Sequence, residues 1–157
     1  MSKQDPRFGR LESEDEFEQI QARYQDRAPL GPSYNELTRA VIGAAIQIHK
    51  TVGPGFLESY YQRAMAIELA HLGIPFSQQV KIPVSYRDQA IGESFLDLVI
   101  DDRLVVELKS VESLAPIHRK QTYSYLRAGG YQLGLLINFN VMLLREGVSR
   151  VINTPRL

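Results

Sequence analysis

The chain contains no cysteine, which excludes a disulfide framework, a zinc–thiolate site and a cysteine nucleophile. That absence fits a cytoplasmic location, which is the expectation here. Long apolar runs are also missing. No stretch approaches the ~20 residues that a membrane-spanning helix needs. The first residues, with Asp5, Arg7 and the acidic run from Glu12 to Glu18, lack the apolar segment of a signal peptide, so a soluble protein with no membrane partner is expected. Neither sign of charge is in excess: 18 basic and 18 acidic residues leave the net charge at zero, and composition alone does not advertise nucleic-acid binding. Acidic residues outnumber basic ones in residues 1–33, so the remainder is slightly basic, by too little to argue for a nucleic-acid partner. No internal repeat or low-complexity segment is visible. What is present is the balance of a globular protein, 157 residues with 44% hydrophobic and 23% charged, enough for one domain with a real core.

Leu11 to Arg27 reads as a short polar helix with Phe17, Ile20 and Tyr24 on one side. Ala28-Pro29-Leu30-Gly31-Pro32 breaks it, so residues 1–32 are expected to be an extension and linker ahead of a domain over 33–157. Ser33 with Glu36 suggests a capping box. The helix that follows places Leu37, Val41, Ala44 and Ile48 on one face and stops near Gly53-Pro54-Gly55. A second helix is expected from about Gly55 to Leu72. Val80 to Tyr86 is strand-like but holds Pro83, which suggests an edge strand or a bulge. Arg87-Asp88-Gln89 is a turn, and Glu93–Ile100 with Leu104–Leu108 forms a hairpin. A helix from about Pro116 to Ala128 ends at Gly129-Gly130. The expected last hairpin pairs Tyr131–Ile137 with Val141–Arg145. The order ααβββαββ makes a mixed α/β domain with a mainly antiparallel sheet flanked by helices.

Several charged residues sit against this pattern. Glu107 and Lys109 are two apart in one strand and share a face. Asp97 interrupts the apolar run Phe95–Ile100, where an uncompensated charge is costly to bury. If Asp101-Asp102-Arg103 is a three-residue loop, Ile100 faces Leu104 and, counting on, Asp97 faces Glu107. Two opposed carboxylates repel unless a cation lies between them, and oxygen-only ligands favour magnesium or manganese. A two-residue turn would instead separate the carboxylates. A salt bridge from Lys109 to either acid, with no metal, is the alternative within the first register. Glu58 suits the start of its helix, yet Tyr61, Met65, Leu69 and Leu72 follow on the same stripe, so it lies on the buried side. Gln121 and Tyr125, four apart, share a face of a later helix. His49 continues an apolar stripe and reads as a packing residue.

Gly55-Phe56-Leu57-Glu58-Ser59-Tyr60-Tyr61 resembles the signature of the GxxExxY proteins, through Gly55, Glu58 and Tyr61. Ile48-His49-Lys50, the Val52–Gly55 lead-in, the Gly134–Phe139 run and the Gly147–Asn153 tail extend the resemblance over roughly Leu37 to Asn153. That family is similar to the PD-(D/E)XK nuclease superfamily, particularly its RecB-type branch. The resemblance implies a restriction-endonuclease-like core and a nuclease acting on nucleic acid, DNA in the first instance. It also implies that Asp97, Glu107 and the Leu108 carbonyl ligate Mg2+ (or Mn2+), with Glu58 completing the site. Lys109 would orient or stabilise the attacking water, and Gln121 and Tyr125 would match the flanking helix motif. Leu96 stands where the superfamily name has proline. The alternative is a catalytically silent, nuclease-like binding or regulatory module. Exposed hairpin strands and the N-terminal arm would suit a homodimer.

Overall fold

A computed structural model describes residues 32–153. The expected helix over 11–27 lies outside the described residues. Helix α1 (Pro32–Val52) begins on a proline, whose missing N–H costs nothing in a first turn. Leu37, Val41, Ala44 and Ile48 are buried, as the 3.6-residue period requires. His49 is buried too, its Nε2 2.7 Å from the Val141 carbonyl oxygen, a packing role. Helix α2 (Glu58–His71) starts three residues later than expected, because Gly53 and Gly55 adopt left-handed φ of 77° and 97° in the intervening turn.

Five strands follow: β1 (Phe76–Tyr86), β2 (Gln89–Ile100), β3 (Leu104–Lys109), β4 (Leu133–Asn138) and β5 (Val148–Ile152), with helix α3 (Pro116–Gly129) between β3 and β4. They form one sheet in chain order. β3 and β4 are parallel and every other neighbouring pair is antiparallel. A parallel pair needs a crossover, and α3 supplies it. Helices α1 and α2 bury one sheet face together with Leu98, Ile100, Leu104, Val106 and Leu108. Leu126 of α3 meets Ile82, Val99, Val105 and Val151 in a smaller core on the other face. The alternation along β3 therefore sends Glu107 and Lys109 to the α3 side with Val105.

The three-residue loop is the one observed. Ile100 pairs with Leu104, Val99 with Val105 and Leu98 with Val106. Asp101 and Asp102 take left-handed φ of 50° and 55°, a conformation their short polar side chains tolerate. Pro83 lies in β1, an edge strand of the sheet, next to a register shift between Val84 and Ser85.

The expected strand Val141–Arg145 is not a strand. The chain bends there, makes a short 3-10 turn (Leu144–Glu146), and pairs with β4 only from Val148. The cause is Asn138, whose buried amide accepts the Val111 and Asn140 N–H groups and donates to the Val111 carbonyl. That local bonding competes with a tight hairpin. Gly147 closes the loop: its carbonyl accepts the Asn138 N–H at 2.8 Å, and a Cβ there would lie 2.1 Å from the Asn138 oxygen.

Candidate active site

The β2–β3 ladder ends at Leu98 and Val106. Beyond it, side chains replace backbone partners. The Asp97 N–H donates to Glu107 Oε1 at 3.1 Å, and the Leu108 N–H donates to Asp97 Oδ2 at 2.8 Å. Two carboxylates thus occupy the place where the strands part, side by side rather than on opposite faces. The backbone is distorted at the same level. Leu96 packs in the smaller core while Leu98 packs in the larger one, so β2 turns over at Asp97. Gln79, between the paired residues Gln78 and Val80 and hence opposite Asp97, holds φ at 48°, a conformation that a non-glycine residue adopts at a cost.

Burial of the carboxyl pair has an electrostatic consequence. Loss of water pushes the Glu107 carboxyl up to about 8, and the neighbouring Asp97 charge adds to the rise against the pull of Lys109. Burial raises Asp97 as well, opposed by the Leu108 N–H, by the Glu107 hydrogen bond and by Lys109. Without a cation, ionising both carboxyls together is therefore costly. Lys109 acts on all three carboxyls through its charge. Among the described residues it makes no direct ion pair with Asp97 or Glu107.

Glu58 reaches this region from the first turn of α2. Burial raises its carboxyl, Lys109 and His118 oppose the rise, and the Asp97 charge reinforces it. Its position is fixed by the buried Tyr61, whose hydroxyl donates to the Gly53 carbonyl at 2.7 Å and accepts the Phe56 N–H at 3.2 Å. The Tyr61 ring stacks on Phe139 at 4.4 Å. Gly55, Glu58 and Tyr61 are therefore one device: a left-handed turn, a carboxylate and the hydroxyl that staples them. Ser110, directly after Lys109, donates to the Phe56 carbonyl and ties the same turn to the end of β3.

Of the other anticipated residues, Gln121 is exposed, and Tyr125 is half-buried against the smaller core. Neither hydrogen-bonds to the acidic pair among the described residues. Three residues escaped the sequence reading. Gln62, one α2 turn after Glu58, donates to Asp97 Oδ1 at 3.1 Å and accepts from Gln79 at 3.2 Å. His118 lies close enough to Glu58 to act on its charge. Its Nδ1 lies 3.0 Å from the Ala115 N–H. The i, i+4 spacing of Glu58 and Gln62 was a readable signal; His118 offered none.

The donor set suits a hard cation. Asp97 and Glu107 offer oxygen alone, and the repulsion between their charges is of the kind that a cation relieves. Among the described residues no three His, Asp or Glu side chains converge into a ready-made metal cluster. A site of one or two carboxylates, with its remaining positions left to water and phosphate oxygen, is what magnesium ordinarily uses.

No curated protein and no solved structure matches the chain significantly. A family model for the PD-(D/E)XK nuclease superfamily matches residues 35–151, well over half of the chain and all of the elements just described except the ends of α1 and β5. The five-stranded mixed sheet flanked by helices is the fold this family implies, and the chain belongs to the PD-(D/E)XK nuclease superfamily.

Proposed function

We propose that this protein is a metal-dependent nuclease hydrolysing phosphodiester bonds, most plainly in DNA, and that it sits among the GxxExxY proteins and the RecB-type branch of its superfamily. The observation that carries this reading is the hydrogen-bonded pair of the half-buried Asp97 and the buried Glu107, with Lys109 on the strand face of Glu107. Asp97, Glu107 and the Leu108 carbonyl would hold Mg2+ or Mn2+. When bound, the ion polarises the phosphodiester and makes water a stronger nucleophile. Lys109 would offset charge developing on the phosphoryl oxygens and orient the attacking water. Glu58, held by the Tyr61 staple and raised by burial, would accept a proton from that water at its carboxylate. Gln62 would keep the Asp97 carboxylate aimed by its hydrogen bond. Gln121 and Tyr125 would meet the substrate along α3, on the stripe that begins with His118. A cytoplasmic location belongs to the same reading.

Magnesium titration by calorimetry, followed by incubation with single-stranded DNA, duplex DNA and RNA, tests the proposal. Wild type should bind the ion and cleave at least one of these. Asp97→Asn should bind it at least about tenfold more weakly, since a ligand charge is lost. Binding without cleavage of any class would favour a silent nuclease-like module, the reading to which the zero net charge also inclines.

A further inference from the structure

An open cleft of about 360 Å³ is lined by Gly55, Phe56, Leu57, Tyr60, Ser110 and Asn140. It borders the site twice through the chain itself, since Leu57 precedes Glu58 and Ser110 follows Lys109. Two aromatic rings dominate it. Phe56 and Tyr60 stack at 5.9 Å with their planes 23° apart, yet they stay 46% and 54% exposed. A core would bury such rings. Here they are held out on a braced turn: the Phe56 backbone is fixed on both sides, its N–H by Tyr61 and its carbonyl by Ser110. The left-handed Gly55 makes that turn. Ser110 and Asn140 add polar atoms to an otherwise apolar lining, the mixture by which pockets of this size orient a ligand.

We propose that this cleft is a stacking platform for an unpaired nucleobase, and that the substrate class of the neighbouring site is single-stranded nucleic acid. The inference rests on the nuclease reading for its phosphodiester, but its own support is the cleft. A protein of zero net charge gains little from phosphate contacts, so affinity for nucleic acid has to come from another source. Aromatic faces supply it, because every base offers a π-face. In a duplex those faces are already stacked on their neighbours and cannot reach the platform. The walls of the cleft adjoin Glu58 and Lys109 in the chain, through Leu57 and Ser110. The Asn140 amide, with both a donor and an acceptor, is suited to the base edge.

The test is fluorescence anisotropy with a labelled oligothymidylate strand and with a duplex of equal length, both in EDTA so that nothing is cleaved. The single strand should bind at least about tenfold tighter than the duplex. Phe56→Ala and Tyr60→Ala should each weaken it roughly 5- to 100-fold, the loss expected for one stacked base. Both rings are exposed, and the bonds that brace the turn use the Phe56 backbone and the Tyr61 and Ser110 hydroxyls rather than either ring, so these variants keep the fold. The chain has no tryptophan, so Tyr60→Trp installs a sole indole; it should retain binding, and its emission should be quenched by the strand. The proposal is overturned if the single strand does not bind, if duplex binds equally well, or if both alanine variants bind within twofold of wild type. It is overturned in favour of a contact between two copies if those variants change only the oligomeric state. Cleavage by wild type alongside unaffected alanine variants would sink the platform and leave the nuclease reading standing. Ring-dependent binding without cleavage would do the reverse.

Discussion

Glu107 is the residue on which the chemistry of the site turns. Its proton is held more tightly in the folded chain, to about 8, than at the ordinary carboxylate value of 4.5. The folded state therefore carries the extra proton between those values, and metal-free stability falls as pH rises through that window. The melting temperature without divalent ions should drop by at least about 3 °C from about pH 5 to pH 8.5, roughly 1 kcal/mol or more of linkage. Magnesium should flatten the slope by taking the proton's place, and Glu107→Gln should abolish it while keeping an acceptor for the Asp97 N–H. A wild-type melting temperature independent of pH would show that the carboxyl is not held protonated. Much of this was legible residue by residue: Asp97 in an apolar run, and Glu107 and Lys109 at strand spacing. Gln79 and His118 were not, because their proximity to the site depends on a left-handed backbone kink and on a loop trajectory that no periodicity encodes.

At the scale of elements, the parting of β2 and β3 makes the pocket, and the start of α2 completes it. The Gly53–Leu57 turn has no side-chain cap at Leu57, so its order depends on Tyr61 and Ser110. Tyr61→Phe removes one donor and one acceptor bond and leaves the Phe139 stacking surface in place. It should cost about 1–2 kcal/mol in urea unfolding and should also lower activity by loosening Glu58. A variant with unchanged stability would mean the hydroxyl braces nothing. The β2–β3 register could be read in advance because a three-residue Asp-Asp-Arg loop has a chemistry of its own. The last hairpin could not. Val141-Met142-Leu143-Leu144 has the composition of a strand, yet Met142 and Leu143 are exposed and only Leu144 is buried. The deciding bonds there run from the Asn138 amide to Val111, 27 residues away, and long-range side-chain bonding of this kind leaves no mark on local composition.

At the scale of the whole molecule, both cores of the described residues run from Tyr34 to Ile152, and the family match spans 35–151. The body is therefore proposed to stand without the N-terminal segment. Removing residues 1–31 should leave cooperative unfolding and magnesium affinity within about twofold of the full chain; loss of cooperativity would place that segment in the core. The zero net charge makes the molecule dependent on its site rather than on a diffuse basic surface, so function should respond to single residues more than to general charge changes. The most direct measurement is the rate of magnesium-dependent cleavage of end-labelled oligonucleotides by wild type and by Lys109→Ala, with magnesium binding recorded for both. The account predicts cleavage by wild type, loss of all activity in EDTA, and a roughly 10²–10³-fold slower Lys109→Ala that still binds the ion. Equal rates for the two proteins, or no cleavage by either with magnesium bound, would contradict it.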